Sequence, residues 1–236
     1  MNHPLPETQH KKFVLAAAAS VAAIDSCRPV LSEISFPQNV RAGIAAALLC
    51  ASIDQARSAS FLIANDPARS TFGALILLRS QVDQLMRSAF FAGPASDEEL
   101  AFYLDKDELP KRDKYKLGPI SLAQINELHF NWGPVGRVPK LIKDSWDILC
   151  GLTHGGHALL AYYNGEDGIG QLKPNDDLIS ELTNSVALTH IGVTIAMSMA
   201  TNEEAPSLQK ALNVWQISAD AYFSAWGPKQ NSVAVS

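Results

Sequence analysis

The chain has 236 residues, 47% of them hydrophobic and only 18% charged, with a mean hydropathy near zero. That is enough apolar material for a large core, and a single domain over residues 1–236 is the simplest expectation. A formal net charge of −5 excludes a protein that coats nucleic acid through a broadly basic surface, while leaving room for a local basic pocket.

Taken in chain order, the sequence is almost wholly helical in period. Residues 1–10 read as a flexible tail and residues 11–26 as an Ala-rich first helix. Two lysines precede the apolar run 13–24, as in a secretory leader. Glu7 before it and Asp25 directly after it favour an internal helix. The connector RPVLSEISFPQN carries two prolines, and a long helix follows over about 40–65. Asp66 is placed to cap the next helix, with Pro67 in its first turn, and that helix runs to about residue 92. Gly93-Pro94 ends it. Ser96 and Glu99, three apart, have capping-box spacing for a short helix.

Residues 109–138 form an irregular insert, with a basic stretch PKRDKYK, a short helix near 121–128, and then NWGPVGRVP. Its length suits a functional lid. Pro139 opens a helix expected to reach residue 163, and NGEDGIGQLKPND reads as a loop. A long helix then spans about 177–201 and a last one about 206–225, ahead of a flexible tail over 227–236. The uncharged stretch 182–202 is long enough to span a bilayer, but its Asn, Ser, Thr and His content argues against it. The expected fold is an all-α bundle of five or six long helices with one irregular inserted segment.

Cys27, Cys50 and Cys150 are odd in number, far apart and free of any CxxC pattern. Buried free thiols and a reducing, cytoplasmic setting follow. Without an exported framework or a membrane span, the expectation is a soluble homodimer joined through an apolar helix face, with no membrane partner.

The candidate site lies in LLRSQVDQLMRSAFF, residues 77–91. With Arg79 at 0° on a helical wheel, Asp83 falls at about 40° and Arg87 at about 80°, with Phe72 and Phe90 close by. An Arg-Asp-Arg series at four-residue spacing can pair along one helix. Burying such groups is costly unless each is paired, so a chain sparing with charge places it here for a structural or a functional reason. The second feature is DSWDILCGLTHGGHALLAYY. Asp147, Cys150, Gly151, Ala158 and Ala161 lie within about 60° of His154, a face of small residues that another helix can approach closely. His154 is expected to be buried there, beside Arg79 and Asp83, either as a core histidine bonded to a carboxylate or as a general base. His154 and His157 are three apart, but no Glu-x-x-His repeat accompanies them. No metal is therefore expected. No cofactor is expected either, since GxGxxG and P-loop patterns are missing from the sequence. His190, inside an apolar helix, reads as a satisfied core residue.

The series LLRSQVDQLMRSAFF followed by LTHGG resembles a group of bacterial all-helical proteins similar to AbiV-like abortive-infection proteins and HEPN-type domains. The likeness covers about residues 71–163 and maps onto Arg79, Asp83, Arg87 and His154. It implies a role in bacterial stress or phage defence, binding RNA or a partner protein. HEPN-type families include metal-independent ribonucleases in which four to six residues separate an Arg from the His that follows it. Here Asp147, Ile148 and Leu149 stand in that region, none of them Arg. A ribonuclease would need Arg79 or Arg87 to supply the cation to His154. A third expectation is a binder of a small anionic ligand held by Arg79, Asp83, Arg87, Asp147 and His154, with the arginines gripping carboxylate or phosphate.

Overall fold

The computed structural model describes residues 5–112, 115–154, 159–160, 164–165, 168–169 and 176–227, without the side chains of Tyr115, Asp147, Ile148 and residues 164, 165, 168 and 169. The fold is an all-α bundle. Its elements are α1 (Glu7–Asp25), α2 (Arg28–Glu33), α3 (Val40–Asn65), α4 (Pro67–Ala92), α5 (Asp97–Lys106), β1 (Lys111–Arg112), β2 (Tyr115–Lys116), α6 (Pro119–Phe130), α7 (Arg137–Thr153), β3 (Asn164–Gly165), β4 (Gly168–Ile169), α8 (Asp177–Ser198) and α9 (Pro206–Trp226).

Local chemistry sets the boundaries. Asn39 accepts from the Ala42 N–H at 2.8 Å and starts α3. Asp66 accepts from the Arg69 N–H at 3.2 Å, and Pro67 follows it, so α4 starts one residue after α3 stops. Ser96 and Glu99 close the expected capping box at the start of α5. Four boundaries differ from the sequence reading. The first helix begins at Glu7, inside the expected tail. Arg28–Glu33 is a short helix where a connector was expected, because Pro29 sits in its first turn, where a missing N–H does no harm. Two minimal antiparallel hairpins, β1 with β2 and β3 with β4, stand where only loops were expected. The helix from residue 137 ends at Thr153, and residues 159–160 are again helical. Gly155-Gly156 follows in the sequence, and glycine is the weakest helix former after proline.

The centre of the bundle is the α3–α4 hairpin. Ser52 Oγ donates to the Gln81 carbonyl at 3.0 Å and Ser88 Oγ to the Ala45 carbonyl at 2.7 Å, an antiparallel register carried by small hydroxyl side chains. α8 lies across both helices. Gly192 allows that approach, since a Cβ there would stand 2.8 Å from Leu49 Cδ1. α1 packs on α3, with Asp25 joined to Arg57 at 2.7 Å. α9 closes over α1 through a buried hydrogen bond of 2.9 Å between Ser20 and the Tyr222 hydroxyl. The main core gathers Leu49, Leu85, Met86, Phe90, Phe91 and Leu122, and a second cluster holds Phe13, Ala59, Ile63 and Leu182. Among the described residues, Glu7–Glu33 is long and apolar enough to cross a membrane by length and composition. Here its Phe13, Ala16, Ala17 and Ile24 are fully buried in the bundle.

Candidate functional site

The site forms where α7 lies against α4. The seating of α7 begins at its N-terminus. Glu127, buried at the end of α6, accepts from the Gly136 and Val138 N–H groups at 2.5 and 2.9 Å. It thereby satisfies orphan donors that α7's own sequence does not cap. Gly136 turns into the helix at φ +87°, a conformation suited to glycine. From there α7 straddles α4 with two seams.

On one seam, α4 contributes Arg79, Asp83 and Arg87, and α7 contributes Trp146 and His154. The Arg79 guanidinium carbon lies 5.0 Å from the centre of the Trp146 ring, within cation–π range. Its Nη2 lies 3.3 Å from His154 Nε2. A guanidinium N–H donates, so the contact is a hydrogen bond in the tautomer that leaves Nε2 unprotonated. Nε of Arg79, on the same edge of the guanidinium as Nη2, is buried without a hydrogen-bond partner. Among the described residues no carboxylate forms an ion pair with Arg79.

Asp83 instead pairs with Arg87 Nη2 at 2.8 Å, one turn further along. Both side chains are roughly a quarter exposed. The expected Arg-Asp-Arg series thus divides into a neutral pair and a lone cation. His154 is at hand, as expected, but it is exposed rather than buried. It is the C-terminal cap of α7, where the helix ends and the ring turns to the rim. The side chain of Asp147 and all of Gly155, Gly156, His157, Ala158 and Ala161 lie outside the described residues, as does the tail from residue 228.

The other seam is a narrow cleft between α7 and α8, floored by α4. Leu78, Val82, Ile142, Leu149 and Leu188 form its walls, together with Gln81, Ser145, Glu181, Asn184 and Ser185. Its enclosed space, about 20 Å³, is close to that of one water. Ser145 Oγ donates to Glu181 Oε1 at 3.0 Å. Burial pushes the Glu181 carboxyl above its ordinary range, opposed by hydrogen bonds from Ser145 and Asn184 and assisted by the charge of Asp177.

Trp146, Ser145 and Glu181 were not singled out from sequence. Glu181 left a trace: it is the only Asp, Glu, Lys or Arg between Asp177 and Glu203. Trp146 left less, because a tryptophan in an amphipathic helix reads as core.

Elsewhere, His190 is half-buried between Trp215 and Phe223, with ring centroids 4.7 and 5.3 Å away. Arg112, the centre of the basic stretch, is held by Glu99 at 2.7 Å through both carboxylate oxygens and lies over Phe90. It belongs to the fold of the hairpin. Of the three free cysteines Cys27 is buried, with its thiol pushed up to about 12 chiefly by burial, whereas Cys50 is exposed and Cys150 half-buried. The expectation of three buried thiols fails because Cys50 lies on the outer side of α3. No group of three or more His, Cys, Asp or Glu side chains is brought together among the described residues.

Comparison of the chain with protein-family models, with curated proteins and with solved structures returns no match.

Proposed function

We propose that the protein is a helical anion receptor. Arg79, backed by Trp146 and edged by His154, takes a phosphate or carboxylate group presented by an RNA or by a partner protein. One observation carries the reading. A guanidinium edge has its Nε buried and unpaired, and its Nη2 meets only a long contact to an imidazole. A buried donor left unpaired costs on the order of 1–3 kcal/mol. An oxyanion bound side-on to Nε and Nη2 removes that deficit with two charge-assisted hydrogen bonds. The ring beneath holds the guanidinium plane, and His154 stands where it can contribute a further N–H to the anion.

The proposal keeps the resemblance to AbiV-like and HEPN-type proteins of bacterial stress or phage defence, with Arg87 and Asp83 as a neutral neighbour that orients the rim. It also carries a cytoplasmic setting, supported by the three free cysteines. It carries a homodimer as well, supported by Val214 and Ile217 on α9, 55% and 70% exposed.

The 3.3 Å approach of Arg79 to His154 favours one second reading, metal-independent ribonuclease chemistry. There the imidazole would take the proton of a 2′-hydroxyl while Arg79 neutralises the phosphate, with Arg87 occupied by Asp83.

Thermal melts with inorganic phosphate, acetate and a short RNA test both readings. The receptor reading expects a rise in Tm with one or more of these that disappears in Arg79→Met. It is overturned if none raises the Tm, or if the rise persists in that variant. The nuclease reading expects RNA cleavage in the presence of chelator, lost in His154→Ala with the fold intact.

A further inference from the structure

The two seams of α7 are mechanically one object. Ser145 and Trp146 are adjacent on the helix, so whatever fixes one fixes the rotation of the other. α7 is tied at its N-terminus by Glu127. At its far end His154, the C-terminal cap, is exposed. Between these points the walls of the cleft on α7 are Leu141, Ile142 and Leu149. Packing of these side chains sets which face of α7 is buried, but it tolerates small rotations about the helix axis more readily than a hydrogen bond does. The hydrogen bond from Ser145 Oγ to Glu181 Oε1 does have a direction.

From this geometry we propose that Glu181 is a positioning residue for the anion site. Through Ser145 it sets the roll of α7, which places the Trp146 ring under the Arg79 guanidinium and His154 at its edge. Glu181 touches neither Arg79 nor the expected anion. It acts across the thickness of α7, from the α8 side. Asn184, one turn on from Glu181, lines the same cleft. Gln81 and Ser185, locked together at the cleft floor, keep α8 in register with α4 while α7 is adjusted.

This inference rests on the anion-receptor reading, and its test separates the two. The binding arm titrates inorganic phosphate and acetate into wild type, Ser145→Ala, Glu181→Ala and Glu181→Gln. Glutamine keeps the accepting Oε1, so Glu181→Gln is expected to bind as wild type does. Ser145→Ala and Glu181→Ala are each expected to weaken binding by on the order of tenfold, and the double variant by no more than either alone. A role confined to stability would move the melting temperature and leave affinity in step with it. The positioning role lowers affinity in variants whose melting temperature is kept.

The second arm needs no ligand. Cys150, one turn after Trp146 and half-buried, reports the roll of α7 through its rate of thiol labelling in a Cys50→Ser background. Labelling is expected to speed up several-fold in Ser145→Ala and Glu181→Ala and to return to the wild-type rate in Glu181→Gln. If wild type binds neither anion and the short RNA does not raise its Tm, the receptor reading fails, and the labelling rates still decide the role of Glu181. Unchanged labelling in both alanine variants, or equal effects of Glu181→Gln and Glu181→Ala, overturns the proposal.

Discussion

Gln81 and Arg79 stand two residues apart on α4 and serve opposite ends. Gln81, with no exposure, donates to the Ser185 carbonyl at 2.9 Å and accepts from Ser185 Oγ at 2.7 Å, and its own carbonyl accepts from Ser52. Each polar atom of that amide has a protein partner. Arg79 faces the other way, toward α7, and keeps a buried Nε unpaired. The same helix therefore carries one polar group whose atoms are all partnered and, at Arg79 as at Gln84 and Arg87, a second kind with a buried atom left unpaired. Only the second has binding capacity to offer, because a closed hydrogen-bond set gains nothing from a ligand.

The largest effect that sharpens this contrast is on the sealed side. Gln81→Leu removes the partner of Ser185 Oγ deep in the bundle, and we expect a loss of about 3 kcal/mol of unfolding free energy, from the stranded hydroxyl and the misfitted shape. Chemical denaturation at neutral pH measures it. A loss below about 1 kcal/mol would mean that the α4–α8 seam is held by its apolar neighbours alone.

A second effect of nearly that size comes from His190, which is half-buried and, like Arg79, ionisable. Burial between Trp215 and Phe223 lowers its pKa to about 4, with Asp220 pulling the other way. The folded protein thus holds the ring neutral where the unfolded chain, near 6.5, protonates it. A depressed folded pKa contributes stability that is full above about pH 6.5 and is lost as the pH falls through the window from 6.5 to about 4. The loss across that window is on the order of 2–3 kcal/mol. His190→Phe fits the aromatic slot and should flatten this limb of the stability curve, as melts at stepped pH would record. An unchanged acid limb in His190→Phe would place the titration elsewhere.

How much of this was legible in the sequence follows the same division. Elements whose ends are set by local chemistry could be read directly: Asp66 with Pro67, and Ser96 with Glu99, start α4 and α5 as their spacing implies. The long helices were legible because their apolar period is sustained over many turns. The meeting of Arg79 with His154 was legible only as a face on a wheel, and the wheel assumed a helix that continued past residue 154. α7 stops there, so the imidazole turned out to be exposed, and the small residues after it gave no guide to its surroundings. Asp83 was legible as a partner of either arginine. Which one it takes depends on Trp146 occupying the space beside Arg79, a tertiary fact with no local signature. Glu127 at the head of α7 was equally hidden, since a carboxylate nine residues before the helix it caps matches no local capping pattern.

The smallest expected change in stability is the most informative about function. Arg79→Met keeps the length and apolar stem of the side chain, still packs on Trp146, and removes a buried donor that the fold leaves unpaired. Loss of the cation–π contact, about 0.5–1 kcal/mol, opposes relief of the unpaired Nε, about 1–3 kcal/mol. The balance lies between no change and a gain of about 2.5 kcal/mol. A group kept for the fold does the reverse: its removal destabilises. Arg79→Met in chemical denaturation therefore distinguishes a guanidinium held for a ligand from one held for structure. A loss above about 2 kcal/mol would make Arg79 a counterpart of Gln81, a polar member of the scaffold, and the rim of α4 would lose its claim to be a site. Stability held or raised, together with the loss of anion-dependent stabilisation, would identify it as a position where the fold gives up stability to keep a binding group ready.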